Sequence, residues 1–413
     1  MTSTPRDPVD PLLRVSGMST AEFASTTWSR RPLLRRAHEL PGVGFADLLD
    51  LDAVDELVSM RGLRTPFARM AKDGQVLATT RFTGGGGAGA EIADQLADDK
   101  VLAEIGSGAT LVLQGLHRVW PPVVDLAGGL ARALGHPTQV NAYVTPAQST
   151  GFAPHYDVHD VFVLQLAGRK SWRVHEPVLV DPLRDQPWDA RADEVAARAA
   201  EEPLLDVTLE PGDALYLPRG YLHAATALGE VSAHLTVGVQ AVTRATVASQ
   251  VLDLLGEDRE LRRSLPAGVD LGDPAAVADD LAATREALHA AVDRLEVSAV
   301  ADALARHVAS RVRPEPISPL AQLRAGTSVE AGTRVRVRAG LRWTAAAESD
   351  GRLAVRALGR TLRVPGAVED GVRHLLGGDV LTPASVPGLD EADARVLVAR
   401  LLREGLVVPA GHA

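Results

Sequence analysis

From residue 140 to residue 240 the chain breaks into short runs of β-branched and apolar residues, each stopped by Gly or Pro. Residues 158–166 and 231–240 read as strands, and 214–217 as a shorter one. Gly168 is expected to break the first run, Pro211-Gly212-Asp213 to turn the chain, and Pro218-Arg219-Gly220 to form a stiff corner. Short strands joined by such turns build an antiparallel sandwich or barrel. In a roll of that kind, residues about seventy apart in sequence can be neighbours in space.

That constraint gives meaning to His155-Tyr156-Asp157, which is answered much later by His223. Side chains at i and i+2 of a strand point to one face, so His155 and Asp157 can aim at one ion while Tyr156 points away. Two histidines and one carboxylate form the facial triad of non-haem Fe(II) sites, which leaves positions open for a co-substrate and O₂. A His-x-Asp triplet alone is weak, because a strand histidine is commonly a satisfied core or surface residue. The turn before Ala214 and the corner before His223 strengthen it. A carboxylate co-substrate would also need a cation. Lys170 stands thirteen residues after Asp157, where a returning hairpin could aim it inward, although Arg169 and Arg173 compete for that role. A buried Lys without a charge partner is costly and so implies an anion.

Several segments together resemble the JmjC ribosomal oxygenases: His155-Tyr156-Asp157, residues 162–174, residues 210–220, and Trp28-Ser29-Arg30-Arg31-Pro32-Leu33-Leu34 near the start. The resemblance implies an α+β chain built on a double-stranded β-helix, the cupin or jelly-roll core. It implies Fe(II) held by His155, Asp157 and His223, with 2-oxoglutarate and O₂ as co-substrates. It assigns Lys170 to the distal carboxylate of 2-oxoglutarate, and Asn141 and Tyr143 to the strand lining the co-substrate and substrate pocket. The implied reaction is hydroxylation of a protein side chain driven by oxidative decarboxylation of 2-oxoglutarate to succinate, with an arginine or histidine of a ribosomal protein as the target. The alternatives are an oxygenase acting on a peptide or small natural product or on tRNA, and a non-oxidative metal-binding cupin. For the last, His159, Asp160 and His234 are the additional ligands to watch, and it has no need of Lys170.

Composition narrows the classes further. No cysteine occurs among 413 residues, which excludes a disulfide framework and a thiolate metal site. The start of the chain has no apolar signal core, and no run approaches the ~20 apolar residues of a membrane span, so a cytoplasmic protein is expected. A net charge of −10 argues against general nucleic-acid binding and suits a basic protein substrate. The glycine run 84–89 lacks the Gly-Lys-Ser/Thr ending of a phosphate loop and reads as a plain loop.

Four segments are expected along the chain. Residues 1–95 form a mixed α/β extension of the catalytic domain, with a helix over 45–58. Residues 96–242 form the core and hold every candidate ligand, with 188–197 as an insertion or lid. Residues 243–315 turn helical, and Leu281, Leu288, Val292 and Leu295 make an amphipathic stripe. The resemblance turns that stripe into a homodimerisation region. Residues 316–413 fit a winged helix, with a hairpin at Leu358-Gly359 and a helix from Asp390 to a stop at Gly405. Arg334, Arg336 and Arg338 lie on one strand there. Nucleic-acid binding is not expected of them, because no aromatic residues interleave and acids lie nearby.

Overall fold

The computed structural model describes residues 10–42, 44–147, 149 and 152–410. The amino-terminal residues read for a leader, and Gly151 ahead of the His155 motif, lie outside that set. Two compact units are present, one up to Ala241 and one from Val242 onward.

In the first unit the strands are β1 (Leu33–Arg35), β2 (Ala68–Lys72), β3 (Gln75–Val76), β4 (Thr83–Gly84), β5 (Gln95–Leu96), β6 (Thr110–Leu113), β7 (Thr138–Thr145), β8 (Asp160–His175), β9 (Leu205–Leu209), β10 (Ala214–Leu217) and β11 (Leu222–Val239). Nine of them make one antiparallel sheet in the order β1-β10-β8-β11-β7-β6-β2-β3, with β9 also on β8. β8 and β11 pair along most of their length, and β8 changes its other neighbour half-way. Its first part takes β10, from Val161↔Leu217 to Leu164↔Ala214, and its second part takes β9, from Lys170↔Leu209 to Val174↔Leu205. This is how a cupin roll closes, and the large sheet with flanking helices agrees with the expected fold class.

The pairing corrects the reading of Gly168. Instead of ending the strand, Gly168 bends it: its φ is +60°, and a Cβ there would lie 2.2 Å from the Val231 carbonyl oxygen. Only glycine accepts both conditions without strain. β11 answers with a register shift between Leu228 and Ala233. Lys170 therefore sits on the second half of the same strand, and no separate hairpin is needed.

The amino-terminal extension is woven into this sheet. β1 zips onto β10, Leu33 opposite Tyr216, and β2 pairs with β6. The helix expected over 45–58 forms only from Leu51 to Ser59, where the Asp50 side chain accepts the Ala53 N–H at 2.8 Å. Phe45, Leu48 and Leu49 are instead drawn into the core from an irregular lead-in. The glycine run starts at the end of β4 and leads as a loop to β5, so the next element is a strand and the helix Asp98–Gly106 comes only after it. The insertion forms a short helix, Trp188–Arg191, running into Ala192–Ala199; its Val195 packs on Tyr156 and Leu222 in a small apolar cluster.

The second unit begins with the helices Arg244–Leu255, Ala278–Asp293 and Val297–Ala309. The amphipathic stripe is split. Leu288 and Leu295 are half-buried, while Leu281 and Val292 are 48% and 47% exposed. Further on, β12 (Val335–Val337), β13 (Trp343–Ala347), β14 (Arg352–Ala357), β15 (Arg360–Pro365) and β16 (Val407–Pro409) combine with the helices Pro319–Thr327, Glu369–Leu375 and Glu391–Arg403 around one core. Asp390 caps the last helix through the Asp393 N–H at 2.8 Å. Arg336 is held by Glu315 through two 2.7 Å hydrogen bonds, and it is not a free cation. No helix among the described residues is long and apolar enough to cross a membrane.

Candidate metal and co-substrate site

His155 and His223 meet across the mouth of the roll. The two backbones exchange hydrogen bonds, His155 N–H to the His223 carbonyl at 3.1 Å and His223 N–H to the His155 carbonyl at 2.9 Å. His223 is the second residue of β11, and His155 belongs to the irregular lead-in to β8. Asp157 is fixed next to them because its carbonyl accepts the Gly220 N–H at 3.0 Å, so the 218–220 corner is tied to the motif it serves. Buried Asp160 ties it a second time, its carboxylate accepting the Arg219 N–H at 2.7 Å.

One donor atom from each of His155, Asp157 and His223 lies within 4.8 Å of the others, and this is the only such group of three among the described residues. The proton arrangement suits a cation. Each imidazole has its Nδ1 on a backbone carbonyl, His155 on Ala153 at 2.8 Å and His223 on Tyr221 at 3.1 Å. Nδ1 is thus assigned as the protonated nitrogen, and Nε2 is left with its lone pair directed at the cluster. Burial, helped by neighbouring His155, pushes the His223 imidazole down to about 4, so it is neutral. Burial pushes the Asp157 carboxyl up, but the imidazoles of His159, His223 and His155 and the Arg69 guanidinium outweigh it and hold the acid below its usual range. Two imidazoles and one carboxylate on one side of a small space are a donor set for a divalent transition metal with open positions.

The cation that sequence alone left open is now separable. Arg169 and Arg173 are exposed, whereas Lys170 is 3% exposed. Its Nζ donates to Thr145 Oγ1 at 3.1 Å, and Thr145 in turn accepts from Thr110 at 3.2 Å. No carboxylate among the described residues pairs with Lys170, and burial pushes its ammonium down to about 7. A buried ammonium of this kind either gives up its proton or is paired by an anion.

Asn141 and Tyr143 share one face of β7. Asn141 Oδ1 accepts the Gly115 N–H at 3.0 Å. Tyr143 stacks on His234, with centroids 5.0 Å apart and planes at 5°. His234 is edge-on to Trp172, and Trp172 stacks on His223 at 5.9 Å. The extra ligands considered for a non-oxidative cupin do not join the cluster. His234 belongs to this aromatic stack, His159 meets Gln139, and Asp160 serves the corner.

Sequence reasoning missed Thr145, Gln139 and Arg69. The first two follow from extending the parity of Asn141 and Tyr143 by one step each way along β7. Arg69 comes from β2 and lies over the Phe152 ring at 5.1 Å; no local pattern marks it.

Residues 127–247 match the family described as the JmjC domain. That stretch includes all six residues named from sequence, His155, Asp157, His223, Lys170, Asn141 and Tyr143. The resemblance to ribosomal oxygenases stands as well. The chain is 38% identical over 167 residues to ribosomal oxygenase 1 of Rattus norvegicus, covering 39% of this chain and 28% of that protein. It is 32% identical over 237 residues to the bifunctional lysine-specific demethylase and histidyl-hydroxylase NO66 of Culex quinquefasciatus, covering 54% of this chain and 33% of the relative. The chain thus spans a third or less of these curated relatives. The fold is shared with YcfD, a ribosomal oxygenase from Escherichia coli solved with cobalt and 2-oxoglutarate, at a TM-score of 0.53 and 19% identity over 95% of this chain and 99% of that one.

Proposed function

We propose that this protein is an Fe(II)- and 2-oxoglutarate-dependent oxygenase that hydroxylates a side chain of a ribosomal protein, an arginine or a histidine. The observation that carries the reading is the coexistence of the His155, Asp157 and His223 cluster with a buried ammonium, Lys170, that has no carboxylate partner among the described residues. A non-oxidative cupin would have no use for such a cation.

Within this reading His155, Asp157 and His223 hold the iron. Lys170 and Thr145 bind the far carboxylate of 2-oxoglutarate, a charge-assisted contact. Iron with 2-oxoglutarate and O₂ supplies an oxidant able to break an unactivated C–H bond. The protein supplies position and dryness. The Ala153 and Tyr221 carbonyls keep each imidazole proton on Nδ1, and the Asp160–Arg219 contact keeps the corner in place. Val161, Val163, Trp172 and Leu217 form an apolar cluster that keeps the neighbouring strands free of water.

We also propose a cytoplasmic homodimer formed through the helices between Arg244 and Ala309, which the exposed Leu281 and Val292 support. The segment from 316 is proposed to be winged-helix-like and not to bind nucleic acid, since Glu315 already engages Arg336. The deciding experiment is anaerobic iron loading followed by 2-oxoglutarate and O₂, with succinate measured in wild type and His155→Ala. Succinate from wild type alone is expected; none from either, with or without ribosomal extract, sinks the oxygenase reading.

A further inference from the structure

Gln139, Asn141, Tyr143 and Thr145 lie in a row along one face of β7, about 20 Å from end to end at a strand's rise. Lys170 occupies the Thr145 end. At the other end Gln139 Nε2 meets His159 Nε2 at 3.2 Å, and both side chains lie over Gly238, the register partner of Gln139 on β11. A Cβ on Gly238 would come within 3.0 Å of His159 Cε1 and 3.1 Å of Gln139 Cγ. Glycine inside a strand weakens it and signals a close approach; here it keeps space for these two polar side chains. His159 Nδ1 is shielded from water and has no hydrogen-bond partner. His159 stands two residues after Asp157 in the chain.

We propose that Gln139 and His159 select the substrate side chain, and that they select a neutral planar group carrying both a donor and an acceptor, an imidazole or a carboxamide, over a guanidinium. This rests on the oxygenase reading and deepens it. The amide and ring orientations are assigned from the contact between them. If the amide N–H donates to Nε2, His159 offers Nδ1–H and Gln139 offers its carbonyl. If the amide is turned the other way, Nδ1 becomes the acceptor and the amide nitrogen the donor. In both cases the pair presents one of each. A guanidinium has no acceptor, so it leaves one donor of the pair unanswered, and a buried unanswered donor is costly. Among the described residues no free carboxylate stands at this end to offset a desolvated cation, because Asp157 serves the metal cluster and Asp160 the corner. The half-buried Arg69 adds a positive charge near Asp157.

The test is calorimetric binding of acetylated heptapeptides of alanine and glycine to cobalt(II)- and 2-oxoglutarate-loaded protein. The central residue is histidine, asparagine, arginine or leucine. In wild type the histidine and asparagine peptides should bind at least about tenfold tighter than the other two. The asparagine peptide guards against direct ligation of cobalt by the peptide imidazole. H159Q keeps a group facing Gln139 but loses the one at Nδ1, and should reduce the preference to under about threefold. H159N carries its amide nitrogen near the Nδ1 position and should retain most of it, and G238A should erode it by filling the space. Thermal melts identify any variant that has not folded, in which case G238A alone decides. An arginine peptide binding as well as the histidine peptide, a preference intact in H159Q and G238A, or no ranking among the four overturns the proposal. Succinate formation by iron-loaded wild type is read separately. Its absence fails the oxygenase reading, and its presence without a peptide ranking fails only this inference.

Discussion

Replacing Lys170 by Met should strengthen the fold of the unliganded protein while weakening its grip on 2-oxoglutarate. Met has a similar length and no charge to desolvate. Burial lowers the Lys170 ammonium from 10.5 to about 7, which at 1.36 kcal/mol per unit is a ceiling of roughly 5 kcal/mol for holding the charge in place. The lost hydrogen bond to Thr145 offsets about 1 kcal/mol, and local relaxation takes more. A net gain of about 2 kcal/mol is expected, or some 4–8 °C in Tm for a unit of this size. The sign depends on pH in a defined way. Below pH 7 both folded and unfolded chains hold the proton and the whole penalty is felt. Between 7 and 10.5 the unfolded chain holds more protons than the folded one, so wild-type stability rises with pH. The advantage of Lys170→Met is therefore largest near pH 6 and gone above pH 10.5. Meanwhile 2-oxoglutarate affinity should fall by at least about tenfold, 1.4 kcal/mol. Scanning calorimetry of metal-free protein at pH 6 and 9, with calorimetric titration of 2-oxoglutarate into the cobalt-loaded protein, measures both. A lower Tm at pH 6 together with unchanged affinity would refute the argument.

Three further outcomes are expected. Since the unliganded Lys170 loses its proton near pH 7, 2-oxoglutarate binding should take up a proton and weaken as pH rises above 7; titrations in buffers of different ionisation enthalpy will count that proton, and a count of zero at pH 8 contradicts it. Asp160→Ala leaves the Arg219 N–H without its 2.7 Å acceptor, loosening the corner ahead of His223. Metal affinity measured by chelator competition should drop about tenfold or more, as for other groups that orient ligands. Gly168→Ala puts a methyl into the Val231 carbonyl at a φ of +60° and should lower unfolding free energy by more than about 2 kcal/mol in urea, combining left-handed strain with the clash; a smaller loss would mean that the bend tolerates a side chain.

What could be read beforehand follows the range of the signal. His155 and Asp157 were legible because two residues of one extended segment share a face, and that holds even though both precede β8 proper. Ala214–Leu217 and the 358–359 hairpin were legible from turn residues at their borders. Gly168 was misread for a physical reason: glycine inside a strand usually weakens it, and only the Val231 carbonyl, sixty-three positions later, makes glycine necessary. Phe45 and Leu49 carry helical spacing, but the core claims them before the Asp50 cap starts a helix. Arg69 and the Tyr143–His234–Trp172 stack stayed hidden because each joins strands distant in sequence.

The bend at Gly168 also explains why one strand can serve both ends of the site. Thirteen residues of straight strand from Asp157 to Lys170 would span about 43 Å, far beyond the reach of one small dicarboxylate. In the folded chain the buried His234 feels both Lys170 and His223, and Trp172, two residues beyond Lys170, stacks on His223. The two ends are therefore neighbours. The bend is set by one glycine and its fit against Val231, and the register shift in β11 falls opposite it. Spacing between the metal cluster and the ammonium is thus a property of this paired kink more than of either ligand. The rest of β8, buried from Asp160 to Leu166, gives the kink a rigid lever, so a change at Gly168 should disturb the Lys170 end before it disturbs the metal cluster, which the His155–His223 backbone bridge and the Gly220–Asp157 hydrogen bond tie together independently.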